Sequence, residues 1–192
     1  MRRDDVTVQI MLGGLSTRMG RDKALVTLGG QTLLDRALAR WQGYGAGVQL
    51  SVGAAERRAL APRGIPAVAD VYPERGPLGG LHAGLKVCPT ELLLLVAVDC
   101  PFLAHEQADG LLAAIGTADA CVYTLDGHLQ PLFGLYRRKS CATPTETLIL
   151  HGDNRMSSLL SWVHTAQIPA SDPAPFRNLN TPEDLRAAEN RG

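Results

Sequence analysis

The sequence predicts a single α/β domain over residues 1–192: a three-layer sandwich with a mostly parallel sheet and a small antiparallel insertion. Three observations carry this. Aliphatic and β-branched runs alternate with stretches whose apolar residues recur at helical spacing, the pattern that builds a doubly wound sheet. The unbroken LLLLVAV of Leu92 to Val98 suits a central strand covered on both faces. With 45% hydrophobic side chains, a chain of this length can fill one sizeable core.

Taken in order, strands are expected at Val6 to Leu12, Val48 to Val52, Ala67 to Ala69, Leu92 to Val98, Ala120 to Leu125 and Leu132 to Tyr136. The first helix is expected over Thr32 to Trp41. Leu33, Leu34, Ala37, Leu38 and Trp41 share one face there, Thr32 and Asp35 offer a capping-box start, and Gly43 and Gly45 stop the helix. Further helices are expected from Leu78 to Val87, His105 to Ile115, Pro144 to Leu150, Met156 to His164 and Pro182 to Glu189, the last opened by Thr181, Pro182 and Asp184. Asp126 and Gly127 make a strong turn between two strand-like runs, so TLDGHLQPLFGLY reads as an antiparallel insertion at one side of the sheet. The stretch SDPAPF, Ser171 to Phe176, reads as a surface connection.

Composition removes several classes of function. Lysine plus arginine and aspartate plus glutamate number 19 each, which supplies no broad positive field for nucleic acid or a membrane surface. No apolar run approaches the roughly 20 residues of a bilayer span, and the N-terminus MRRDDVTVQI lacks the apolar region of a secretory signal, so a cytoplasmic protein is expected. Cys88, Cys100, Cys121 and Cys141 show no paired spacing and are expected to be free thiols, mostly buried.

Charge-driven recognition must therefore be local, and Met11 to Lys23, MLGGLSTRMGRDK, is where it concentrates. The stretch leaves the first expected strand at the carboxyl edge of the sheet, where such folds bind ligands. Its spacing fits neither the dinucleotide fingerprint nor the P-loop. What it offers is physical: Gly13 and Gly14 let backbone N–H groups approach an anion, Ser16 and Thr17 add hydroxyls, and Arg18 and Lys23 add mobile positive charge, a set suited to a polyphosphate. Asp99, in VAVDCPF, ends the most apolar strand at the same edge. It can hold Mg²⁺ together with substrate phosphates, or cap a following helix. Asp70 follows the short strand AVA and either meets a nucleotide or caps the turn after it. Gly76, Gly79 and Gly80 lead into a helix whose N-terminus can offer donors to a ligand, while tight packing on the sheet explains Gly84 equally well.

In order along the chain, LGGLSTRMGRDK, RGPLGGL, VAVDCPF, QPLFGLY and NLNTPEDL resemble the motifs of the MobA-type molybdenum cofactor guanylyltransferases, within the Rossmann-like, nucleotide-diphospho-sugar transferase-like nucleotidyltransferases. The resemblance implies transfer of GMP from GTP to the phosphate of molybdopterin or Mo-molybdopterin, with Mg²⁺ present and pyrophosphate released. It implies nucleotide contacts from Met11, Leu12, Gly13, Gly14, Ser16, Lys23, Ser51, Asp70 and Gly79, catalytic help from Arg18 and Lys23, and a metal ligand in Asp99. His128, Gln130, Arg155, Asn178 and Asn180 are the polar residues of the late motifs available to an acceptor. Molybdoenzymes or other cofactor-synthesis proteins are the further partners implied, and neither nucleic acid nor membrane is expected. Leu12 stands where the family has Ala, so it either narrows the base pocket or repacks below the loop. Use of CTP, a different small phosphate acceptor, and a non-catalytic carrier of nucleotide or cofactor are the alternatives.

Overall fold

The structure, a computed structural model, describes residues 1–13, 15–16 and 21–189, with only the backbone of 15, 16 and 21. In chain order the strands are β1 (Val6–Met11), β2 (Leu15–Ser16), β3 (Arg21–Asp22), β4 (Thr27–Leu28), β5 (Gln31–Thr32), β6 (Gly47–Gly53), β7 (Ala67–Ala69), β8 (Leu92–Ala97), β9 (Ala120–Leu125), β10 (His128–Arg137) and β11 (Thr165–Pro169). The helices are α1 (Leu33–Trp41), α2 (Gly76–Val87), α3 (His105–Ala114), α4 (Arg138–Leu150), α5 (Met156–Trp162) and α6 (Pro182–Glu189).

Seven strands form one sheet in the order β11-β9-β10-β8-β1-β6-β7. β10 alone among them runs antiparallel, to both β8 and β9. Strand alternation divides the core in two. Val6, Val8, Ile10 and Leu12 join Leu92, Leu94 and Val96 against α1, α3 and α6, whereas Leu93 and Leu95 face Leu78, Leu81 and Leu85 of α2 and the apolar sides of α4 and α5. The four leucines of β8 are all at most 1% exposed, as a strand covered on both faces requires. Thr32 caps α1: its hydroxyl accepts the Asp35 N–H at 3.0 Å and donates to the Asp35 carboxylate.

Four expectations need correction. The β9–β10 hairpin does turn at Asp126 and Gly127, but β10 lies inside the sheet between β8 and β9, because its apolar residues Phe133 and Leu135 pair with β8. β10 also starts four residues earlier than expected, running through Pro131 across an irregular register between Leu129 and Gly134. α4 starts at Arg138, directly from the strand, so Pro144 is interior and not a helix start; Cys141 and Thr145, both 0% exposed, hold the first turns against the sheet. Ser171 to Phe176 is more than a surface connection, since Phe176 is buried against Tyr123 and Phe133 with ring centroids 5.0 and 6.0 Å away. β11 was not expected at all. It is a short edge strand without a buried residue.

Three of the four thiols are buried and none is in a disulfide. Among the described residues no helix is long and apolar enough to cross a membrane.

Candidate functional site

β1 and β8 end level with one another and β6 runs two residues further, to Gly53: Met11 is in register with Ser51 on one side and Ala97 on the other. The chain segments beyond those ends therefore rise from one rim. Leu12 is still tied to it, its N–H donating to the Ser51 carbonyl at 3.1 Å. Its side chain is 0% exposed and belongs to the α1 face of the core, so the bulk added at this position repacks below the loop and leaves only backbone at the rim. Gly13 then turns out with φ +68°, a conformation that side chains rarely adopt. Gly14 and Arg18 lie outside the described residues, and Ser16 is described by backbone alone, paired with Arg21 in the small β2–β3 hairpin.

The far end of that segment returns to the same rim. Asp22 caps the short 3₁₀ turn Lys23–Leu25 by accepting the Ala24 N–H at 3.0 Å. Lys23 then reaches across to Asp99, Nζ to Oδ2 2.6 Å, and to Asn180 Oδ1 at 2.5 Å. Both ion-pair partners are under one-fifth exposed, so little water screens them. Asp99 does not cap α3, which starts six residues later with Gln107 Oε1 accepting the Ala104 N–H; that alternative is removed. The Asp99 carbonyl accepts the Leu179 N–H at 2.9 Å, which draws the NLNTPEDL segment to the rim. Asp184 accepts from the backbone N–H groups of Asn180 and Thr181, and these bonds hold its carboxyl below the usual range.

Two hollows flank this bridge. The larger, about 810 Å³, is lined by Gly13, Asp22, Gly53, Glu56, Arg57, Asp70 and the start of α2. Asp70 has a buried Oδ1 with no hydrogen-bond partner, and burial pushes its carboxyl above the usual range. It caps no turn through that oxygen, and its other oxygen lies against Gly79, where an added Cβ would meet it at 3.2 Å. Ser51 is 3% exposed and, with Met11, packs beneath Gly80, where a Cβ would meet their side chains at 2.6 and 2.5 Å. The smaller hollow, about 200 Å³, is lined by Asp99, Cys100, Gln130, Phe133, Phe176 and Asn178. Cys100 donates to Asn178 Oδ1 at 2.7 Å, while burial and the adjacent Asp99 push its thiol well above the ordinary range. His128 and Arg155 are exposed and line neither hollow; Arg155 pairs with Asp153 at 2.8 Å.

Sequence reasoning missed Arg57. It forks onto Asp22, with Nη2 2.7 and 2.8 Å from the two carboxylate oxygens and Nε at 3.1 Å, while Nη1 donates to the carbonyls of Val52 (2.8 Å) and Gly13. The legible signal was the arginine pair of AAERRAL just past the end of a strand at the binding edge.

Such a rim, with a glycine turn, a largely buried cation–carboxylate bridge and a hollow on either side, lies at the carboxyl ends of parallel strands, the edge at which doubly wound α/β proteins bind ligands, and its donors and cation are of the kind that suits phosphate. The MobA-like NTP transferase domain model matches residues 8–168, and the chain belongs to that family, an enzyme of the nucleotidyltransferase class. Molybdenum cofactor guanylyltransferases from Vibrio cholerae and Rhodobacter capsulatus are 30% and 35% identical to it, covering 96% and 95% of this chain and 92% and 94% of theirs. Molybdopterin-guanine dinucleotide biosynthesis protein A from Archaeoglobus fulgidus superposes with a TM-score of 0.84 at 25% identity, over 96% of this chain and 97% of that one. The 2-C-methyl-D-erythritol 4-phosphate cytidylyltransferase of Thermus thermophilus (TM-score 0.72, 20% identity, 96% and 97% covered) shares the fold, that of the nucleotide-diphospho-sugar transferases.

Proposed function

We propose that this chain transfers GMP from GTP to the terminal phosphate of molybdopterin. An acceptor phosphate oxygen forms a bond to the α-phosphorus of GTP, the bond from that phosphorus to the bridging oxygen breaks, and pyrophosphate leaves with the electron pair. The names of the relatives support the substrates. The observation that carries the reading is the 2.6 Å Lys23–Asp99 bridge at the rim between the two hollows.

Phosphoryl-type transfer needs positioning and charge stabilisation more than a protein nucleophile. Lys23, with Gly13 and, by resemblance, Gly14, Ser16 and Arg18, would hold the triphosphate, and Lys23 would follow the charge that develops on the leaving group. The larger hollow, with Met11, Leu12, Asp70, Gly79 and Ser51 in its walls or beneath them, would take the nucleoside. Its unpartnered Asp70 oxygen is an acceptor for which guanine or ribose donors are suitable. The smaller hollow, with Gln130 and Asn178, would receive the pterin. Asp99 Oδ2 and Asn180 Oδ1 already converge on a cation, the Lys23 ammonium, so this donor pair fits a divalent ion. Among the described residues no three His, Cys, Asp or Glu side chains cluster, which suits Mg²⁺ better than a metal needing an all-protein cage. When bound, Mg²⁺ would neutralise phosphate charge. The same reading puts the reaction in the cytoplasm, with molybdoenzymes or other cofactor-synthesis proteins receiving the product.

Incubation with each triphosphate and molybdopterin, followed by mass analysis, tests it. GTP should give the dinucleotide and pyrophosphate; turnover with CTP or another acceptor, or binding without pyrophosphate release, overturns it. Asp99→Asn should lower kcat by about 10²-fold or more with the melting temperature little changed. Unaltered turnover would remove Asp99 from the site.

A further inference from the structure

Arg57 performs no chemistry in the reaction above, yet its guanidinium is committed more fully than that of a surface arginine. Its side chain is 16% exposed and that of Asp22 14%, and all three of its nitrogens are engaged. The contacts divide by function. One side grips the Gly13 carbonyl, where the chain leaves β1; the other grips Asp22, where the chain returns; between them Val52 fixes the arginine to the end of β6. Asp22 in turn caps the 3₁₀ turn that starts with Lys23, and Lys23 reaches Asp99. One planar fork thus ties both described ends of the glycine-rich segment to the sheet. A lysine, with a single nitrogen, cannot hold two carboxylate oxygens and two carbonyls in this arrangement.

We infer that Arg57 is a positioning residue for the nucleotide half of the reaction, holding Gly13 and the Asp22–Lys23 turn at the rim before the triphosphate arrives. This rests on the reading that Gly13 and Lys23 hold a triphosphate. Order fixed in advance is order the ligand need not impose, so removing the staple weakens nucleotide capture first. The acceptor side, built on Asp99, Gln130 and Asn178, does not touch Arg57.

The full chain is assayed with GTP and molybdopterin, each varied in turn. Arg57→Ala should raise KM for GTP about tenfold, on the scale of one lost charge-assisted hydrogen bond, with KM for the acceptor unchanged. Arg57→Lys should show the same rise, since charge alone does not restore the fork. Arg57→Ala combined with Asp22→Ala should cost less than the sum of the two single losses, because the shared fork is lost in either, while the Asp22 cap on Ala24 and the Arg57 bonds to Val52 and Gly13 add separately. Hydrogen exchange gives a readout free of turnover: the amide of Ala24 should lose protection in Arg57→Ala while those of β8 keep theirs. Equal rises in both KM values, full rescue by Lys, additive losses, or unchanged protection at Ala24 would each overturn the inference. Should the wild type transfer nothing from GTP, the proposed function fails by itself. The staple is then judged by the Kd of whichever triphosphate binds and by the same exchange experiment, and unchanged protection still ends it.

Discussion

On the face covered by α1, α3 and α6, β1 presents Val6, Val8 and Ile10, followed by Leu12 just past its end, every one at most 1% exposed. On the opposite face it presents Thr7, Gln9 and Met11, and there the buried layer is part polar: Gln9, Gln49, Ser51, His82 and Thr145 are all under 5% exposed. Gln9 Nε2 donates to the Gly80 carbonyl at 2.8 Å and Gln49 Nε2 to Gln9 Oε1 at 2.7 Å, so helix α2 is fixed to the sheet by directed bonds. The glycines of α2 exist for that contact. A Cβ on Gly84 would lie 1.8 Å from Gln9 Oε1 and one on Gly80 would strike Met11 and Ser51. A hydrocarbon face specifies volume, whereas this one specifies the height and rotation of a helix, and α2 is the helix whose first turn borders the larger hollow.

The contrast can be broken from either side. The largest stability loss is expected from Leu94→Ala on the hydrocarbon side, about 3–4 kcal/mol in urea denaturation, because the site is enclosed by β1, β10 and α-helical side chains and cannot collapse fully. Gly84→Ala should cost about 2–3 kcal/mol by overpacking, since the whole Gln9 amide lies within 2.6 Å of the new methyl and Gln9, fully buried, has nowhere open to go. Adding Gln9→Ala to Gly84→Ala should recover part of that loss, and strict additivity would show that the amide is not what the glycine accommodates. Thr32→Ala, which removes the α1 cap, should cost about 1 kcal/mol.

The smallest effect is a pH dependence. His82 is 0% exposed; burial pulls its pKa below 6.5, Glu146 acts the opposite way, and Lys86 adds to the lowering. Both ring nitrogens lack a hydrogen bond, with Glu146 Oε1 still 3.5 Å from Nε2 and already accepting from Tyr72 and Lys86. The unfolded chain therefore binds a proton that the folded one resists. Stability from this group is complete above pH 6.5 and falls as the pH drops below it. His82→Phe should flatten that part of the curve, and an unchanged slope between pH 7 and 5 would assign it to other groups.

Most of the fold was legible because its signals were local. β7, β9 and α6 begin and end where alternation, turn residues and caps put them, and Leu92 to Val98 read as a doubly covered strand on length and composition alone. β11 was not legible, since an edge strand of mixed residues borrows its identity from pairing with β9. Pro144 misled because proline usually opens a helix, and only the packing of Cys141 and Thr145 shows why this helix continues through it. At the candidate site, Lys23 and Asp99 were singled out by residue type and strand end, and the structure brings the two side chains together. Arg57 escaped because its role lies in two long-range partners, Gly13 and Asp22, that no local pattern announces.

Because β6, β1 and β8 are hydrogen-bonded neighbours held in register at this edge, the lateral spacing between the Ser51, Met11 and Ala97 positions is set by two ladder steps of about 4.8 Å each. On the proposed function, the span across which nucleotide and acceptor would meet is thus a property of main-chain pairing. Side chains above it can be exchanged to suit a different base or a different acceptor without moving the two halves apart.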